Sequence, residues 1–209
     1  MTSSVEVPVF YNDLNLSFAK AWDLIEPGAS KRTSPAHTPV VGTIGGDGVP
    51  QLRIMVLREA DRAKRRLRFH TDVRSTKIHE IASNGKASVL MYDAAEKLQL
   101  RLSGEARVQN DATDVDDAWS SSTTFARRCY MAERPPATPS PNPTSGLPDW
   151  IEGRQPDELQ LLDARANFAV LWFEIHSIEW LYLANQGHRR ARWDWHDGTQ
   201  SWHGSWLVP

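Results

Sequence analysis

Cysteine is almost absent. Cys129 stands alone, so the chain can form no internal disulfide and no cysteine-based metal site. Charge of one sign is also lacking. The net charge is −2, which argues against a general nucleic-acid binder. No apolar run approaches the ~20 residues of a membrane span. The first eight residues, Met1 to Pro8, show neither the basic start nor the apolar core of a secretory leader, so a cytoplasmic protein is expected. No Gly-x-Gly-x-x-Gly follows a strand-like run, which leaves a dinucleotide fold without support. No pair of histidines or carboxylates shares one helix face at ligand spacing, so no metal site is expected.

Local concentrations stand out against this background. From Arg53 to Lys77 there are nine Lys or Arg residues and three Asp or Glu. A basic block inside a nearly neutral chain suits a small anion better than a long polyanion. The stretch Leu67 to Thr71 reads as a strand, and Ser75 can cap a helix that carries Ile78, Ile81 and Ala82 on one side. A strand–turn–helix junction rich in Arg, Ser, Thr and Lys suggests a phosphate-bearing cofactor held by side chains and by a helix start. The charged run Arg62 to Arg68 reads more simply as a solvated face.

The periodicities organise the whole chain. Residues 13–26 predict an amphipathic helix stopped by Pro27 and Gly28, with Leu14, Phe18, Ala21, Trp22 and Ile25 in phase. Val40–Ile44 and Leu52–Leu57 predict a hairpin around Gly45 to Gly48. Further strands are expected at 67–71, 87–92, 98–108, 168–183, 190–195 and 200–207, and helices at 111–133 and 157–167. Six prolines in 135–148 mark an irregular loop. Five of the nine tryptophans fall in the last thirty residues, as expected for a packed edge or a subunit interface. The expected fold class is α+β, mainly β: one domain over 1–209, a barrel of antiparallel strands with peripheral helices. Its parts are an N-terminal helix and loop (1–36), a Pro-rich loop (135–156) and C-terminal strands (168–209).

In order and spacing, these motifs resemble the pyridoxamine 5′-phosphate oxidase family of FMN-binding split barrels. Arg53 and Arg58 bracket the first strand motif. His70 and Thr71 precede Ser75, Thr76 and Lys77 at the family spacing. Gln99 stands five residues before Gly104. His188, Arg189 and Arg190 match a His-x-Arg element eight residues after Trp180, and the chain ends Trp206, Leu207, Val208, Pro209. The resemblance runs from about residue 38 to the C-terminus and is weakest over 110–165.

What the resemblance implies is a homodimer that binds FMN where two chains meet. It assigns the cofactor to Arg53, Ile54, Met55, Val56, Leu57, Arg58, His70, Thr71, Ser75, Thr76, Lys77, Gln99, Trp180 and Arg190. Among these, Arg53, Ser75 and Lys77 would grip the phosphate and Gln99 the flavin ring edge. It assigns a small phosphorylated substrate to Arg58, Tyr130, Arg134, Thr138, Gln186 and His188, with His188 and Arg190 orienting the reacting end. The implied chemistry is oxidation of an amine or alcohol carbon by flavin and dioxygen. The alternatives are an FMN reductase that uses NAD(P)H, and a flavin-binding module without turnover. The chain departs from the family pattern at three positions: Gln186 and Arg58 replace an Arg and a Lys, and Thr76 replaces an Arg. Regular strand alternation would put Arg53 and Arg58 on opposite faces unless a bulge intervenes.

Overall fold

The computed structural model describes residues 7–209. Residues 1–6, most of the segment read above as leaderless, lie outside it.

Nine strands form one antiparallel sheet around a hydrophobic interior. They are β1 (Val40–Ile44), β2 (Pro50–Ile54), β3 (Leu57–Asp61), β4 (Arg66–Asp72), β5 (Lys86–Asp93), β6 (Leu98–Gln109), β7 (Phe168–Tyr182), β8 (Arg189–His196) and β9 (Ser201–Leu207). The strand order is β2-β1-β5-β6-β7-β4-β3, with β8 and β9 continuing from β7. The two ends of the path are β2 and β3, neighbours in sequence that do not pair with each other. The sheet therefore curls without closing, which is a split barrel.

The chain crosses the split at Met55 and Val56. The sequence pattern suggests one return strand over 52–57, and the structure breaks it in two. Ile54 still pairs with Val40, but Leu57 pairs with Phe69 on the other lip. Between them Met55 donates its N–H to the Pro39 carbonyl at 3.1 Å. Periodicity cannot show such a step, because both halves alternate correctly and only the pairing partner changes.

Strand β7 holds the two lobes together. Along one edge it pairs with β6. Along the other, Phe168 to Glu174 pairs with β4, and Ser177 to Tyr182 pairs with β8. One fifteen-residue strand can serve three neighbours because its halves diverge. At the divergence, the β6–β7 register shifts between Ser103 and Gly104, a bulge that increases local twist. Gly104 is required there, since a Cβ would overlap the Glu174 carbonyl.

Helix α1 (Leu14–Ile25) starts where Asp13 accepts from the Leu16 N–H and buries Ala21, Trp22, Leu24 and Ile25 against the barrel. Helix α2 (Thr76–Ser83) follows β4. The helix expected over 111–133 is three short pieces: α3 (Thr113–Ser120), α4 (Thr124–Arg127) and a 3-10 turn at Arg128–Met131. Thr123 interrupts it by accepting from the Ala126 N–H, a fresh N-cap inside the run. The helix expected over 157–167 is turns ending in a 3-10 segment, Asp163–Asn167. A second apolar cluster, with Val115, Trp119, Tyr130, Leu161 and Phe168, packs these pieces on β7.

Candidate functional site

The strand break shapes the site. A cavity of about 340 Å³ opens beside the split and is lined by Arg53, Ile54, Met55, Val56, Arg58, His70, Thr71, Asp72, Lys77, Ala126, Cys129, Tyr130 and Pro136. The first three come from β2 and its end, Arg58 from β3, and His70 to Asp72 from the end of β4. Lys77 comes from the first turn of α2, and Cys129 and Tyr130 from the 3-10 turn. The strand does not run through from Arg53 to Arg58, so alternation does not separate them, and both guanidinium side chains line one cavity.

The charges here are sorted in a specific way. Arg53 donates to the Glu80 carboxylate at 2.8 Å, and also to the Thr43 hydroxyl and the Gln51 carbonyl. Arg74 closes on Asp72 through two side-chain contacts, of 3.0 and 2.7 Å. These two pairs cancel. Lys77 is left with hydroxyls only: its ammonium donates to Ser75 Oγ at 2.9 Å and to Thr71 Oγ1 at 3.2 Å. Among the described residues neither Lys77 nor Arg58 has an ion-pair partner. Burial, with Arg53 second, holds the Lys77 pKa below its ordinary value. Two uncompensated cations beside a cluster of hydroxyls match a phosphate group, which carries about −1.5 to −2 charge at neutral pH. The residues present therefore fit FMN at its phosphate end.

Ser75 acts differently from the cap the sequence suggests. It occupies the N-cap position but makes no side-chain cap bond. Its hydroxyl donates to the Asp72 carbonyl at 2.8 Å and accepts from Lys77. It is a buried support for Lys77. His70 is neutral across the ordinary pH range. Burial first, then the fields of Arg58 and Arg68, push its pKa down to about 3. Its ring meets Phe168 edge-on at 4.8 Å, and its Nε2 is buried without a hydrogen bond.

Other expected residues lie elsewhere in this chain. Leu57 is buried in the core and Thr76 is exposed at the helix start. Trp180 was expected at the cofactor, yet it is fully buried inside the barrel. It faces Ala191 across β8, and its neighbour Leu181 faces Arg190. Alternation thus sends Trp180 inward and Arg190 outward. Gln99 also pairs with Leu181, so Gln99 and Arg190 share the outer face, two strands apart. Arg190 donates to Glu179 at 2.8 Å. Gln186 is exposed in the turn before β8. His188 lines a separate cavity of about 460 Å³ with Asn12, Arg189 and the last four residues. Arg134 is exposed, and Thr138 donates to the Pro135 carbonyl at 2.7 Å. None of these lines the cavity at the split.

Sequence reasoning missed Glu80, Thr43, Arg74 and Cys129. Glu80 was the most accessible, since it stands one helical turn after Lys77. Thr43 came within reach only through the β1–β2 register. Among the described residues, no group of three or more His, Cys, Asp or Glu is placed to hold a metal.

Residues 19–110 match the model of the family described as pyridoxamine 5′-phosphate oxidase, FMN-binding domain. The matched span is 92 of the 209 residues, a little under half of the chain. The matched span contains Arg53, Arg58, Thr71, Ser75 and Lys77. A curated pyridoxine/pyridoxamine 5′-phosphate oxidase from Burkholderia vietnamiensis is 33% identical over 100 residues, 48% of this chain and 44% of the relative. One from Thermosynechococcus vestitus is 29% identical over 127 residues, 61% of this chain and 54% of the relative. The alignments thus span about half the length of these curated relatives. Two solved structures share the fold over nearly the whole chain. A pyridoxamine 5′-phosphate oxidase-related, FMN-binding protein from Nostoc punctiforme has a TM-score of 0.72 at 20% identity, covering 98% of this chain and all of that one. PhzG from Burkholderia lata, in complex with tetrahydrophenazine-1-carboxylic acid, has a TM-score of 0.67 at 20% identity and full coverage of both chains. The matched domain model supports FMN binding.

Proposed function

We propose that this protein is a cytoplasmic, homodimeric FMN oxidoreductase of one domain that oxidises a small phosphorylated amine or alcohol. The observation that carries the reading is the pair of uncompensated cations, Lys77 and Arg58, on one cavity with Thr71, with the buried Ser75 hydroxyl supporting Lys77. Bound FMN would accept a hydride equivalent from a carbon that bears the amine or hydroxyl, with dioxygen taking the electrons onward to hydrogen peroxide.

The chain's own residues supply binding and orientation. Lys77 would hold the phosphate as a point charge, with Ser75 and Thr71 fixing its ammonium. Arg53, already oriented by Glu80 and Thr43, would add a guanidinium edge. Tyr130 is buried at the cavity wall, and burial raises its pKa beyond the ordinary phenol range. It is a hydrogen-bond donor, not a base. His70 is neutral and cannot add charge. The second set, Gln99, Arg190 and His188, lies on β6, β8 and the turn before β8, away from this cavity. A two-fold dimer that brings one chain's second set to the other's cavity would complete the site.

The test is purification, flavin absorbance and peroxide release with pyridoxamine or pyridoxine phosphate. Flavin content near one per chain and peroxide release above a flavin-only control support the reading. Flavin binding with NAD(P)H consumption and no peroxide from either substrate supports a reductase instead. Gln186 stands where the family carries a charged Arg, so Gln186→Arg should raise turnover. The expected gain is roughly 30-fold or more, the size of one charge-assisted contact.

A further inference from the structure

Arg58 and His70 have a second side. A separate cavity of about 470 Å³ is bounded by Ala29, Arg32, His37, Val56, Arg58, Arg68, His70, Phe125 and Ala126, with the hydroxyl-bearing Ser121, Ser122 and Thr123. It shares Val56, Arg58, His70 and Ala126 with the cavity at the split. Lys77 belongs only to the first cavity. Arg32, His37 and Arg68 belong only to the second.

The second cavity has three guanidinium groups in its wall and no carboxylate. Glu59, outside it, pairs with Arg68 at 3.2 Å. Among the described residues Arg32 and Arg58 have no ion pair at all. Two buried nitrogens here, Arg68 Nε and His70 Nε2, have no hydrogen-bond partner. Buried polar groups without partners are costly, and like charges gathered around a hollow repel. An oxyanion between the guanidinium groups would relieve the repulsion.

The other polar groups are already engaged. Ser121 and Ser122 both donate to the Ala118 carbonyl, and Thr123 accepts from the Ala126 N–H. His37 Nδ1 bonds the Gly28 carbonyl at 2.7 Å. The free donors are the guanidinium groups and the Thr123 hydroxyl, and the charge on the former favours an anion over a neutral polyol. Val56, Ala29 and the largely exposed Phe125 ring supply an apolar wall beside them.

We propose that this chamber is a second anion site, binding a small molecule through a carboxylate or phosphate group between Arg32, Arg58 and Arg68, across the shared wall from the flavin-phosphate grip. An apolar or ring-bearing body would lie against Phe125. Arg58 bounds both cavities, so the proposal rests on the flavin reading with Lys77 and Arg53 as the first site's grip and with Arg58 shared between the two sites.

The experiment uses FMN-loaded protein of measured flavin content. Inorganic phosphate and benzoate are titrated separately by calorimetry at constant ionic strength, with chloride as the control. Saturable binding of either anion above the chloride control is expected, and the preferred probe identifies phosphate or carboxylate as the ligand group. Arg32→Glu should weaken it roughly tenfold or more while flavin content stays as in wild type. Arg32 is exposed and unpaired, so this variant keeps its fold. Repeating the titration on flavin-free Lys77→Met should preserve the affinity, which separates failure of the flavin reading from failure of this one. Three results would overturn the proposal: no saturable binding of either anion, equal binding by wild type and Arg32→Glu, or binding lost in Lys77→Met.

Discussion

The Arg53 guanidinium lies 2.8 Å from the Glu80 carboxylate, a pair that spans β2 and α2 at the edge of the cavity at the split. The same carboxylate accepts the Thr43 hydroxyl. Glu80 therefore does two opposed things. It holds Arg53 in place, and it sets a negative charge beside the proposed phosphate site.

Replacing Glu80 with Gln separates these effects, since the amide keeps an acceptor and removes the charge. FMN affinity is expected to rise several-fold at low salt, with a smaller gain at high salt. Fluorescence titration at two ionic strengths measures it. Weaker binding would mean that the hold on Arg53 outweighs the repulsion. Arg53→Ala should lower FMN affinity and also destabilise the flavin-free protein by about 1–3 kcal/mol, because Glu80, with its side chain 11% exposed, loses its partner.

Lys77→Met should behave in the opposite way toward folding. The Lys77 ammonium is held against hydroxyls, and burial depresses its pKa. A base with a depressed folded pKa binds fewer protons folded than unfolded, so its charge opposes folding at neutral pH. The flavin-free variant should be as stable as wild type or more so. It should also lose its preference for FMN over riboflavin. Urea denaturation and paired titrations with the two flavins read both effects, and a variant that still prefers FMN would remove Lys77 from the phosphate grip.

His70 predicts an acid limb of stability. Its folded pKa is about 3, against 6.5 for the free side chain. The unfolded chain therefore binds the extra proton between those values, and stability falls as pH drops through that window. From pH 6.5 to 4.5 the loss reaches up to about 2 kcal/mol. His70→Gln should flatten this limb in urea melts of the flavin-free protein. An unchanged limb would assign it to other groups.

Gly104→Ala should be among the most damaging single changes outside the site. Its Cβ would occupy the position of the Glu174 carbonyl oxygen at the β6–β7 bulge. A backbone shift there disturbs the strand that joins both lobes, and a loss of about 3 kcal/mol or more is expected. Thermal unfolding of this variant beside Gly46→Ala, where a Cβ meets nothing within 4 Å, checks it.

Much of the strand layout was legible because half-buried strands alternate. Val40 to Ile44, Phe168 to Tyr182 and Ser201 to Leu207 sit within a residue or so of where their patterns put them. Helical periodicity was less trustworthy over 111–133. There the apolar spacing persists while Thr123 turns the backbone aside, a local bond that spacing does not reveal. The Ser75 cap failed for a related reason: the hydroxyl had a better use supporting Lys77.

The sequence by itself determined the chemical inventory. A basic block and hydroxyls at a strand–helix junction suggest a phosphate-bearing cofactor, and the family resemblance carried by the order of the motifs implies that it is FMN, because those properties belong to residue types and short spacings. Only the tertiary structure decided which groups meet. The step at Met55 and Val56 puts Arg53 and Arg58 on one cavity. The β7–β8 register sends Trp180 into the core and Arg190 outward. The cancellation of Arg53 by Glu80 and of Arg74 by Asp72 leaves Lys77 and Arg58 as the cations on that cavity without an ion pair among the described residues. Each outcome depends on pairing between segments distant in sequence or on charges converging in space, and local patterns carry no record of either.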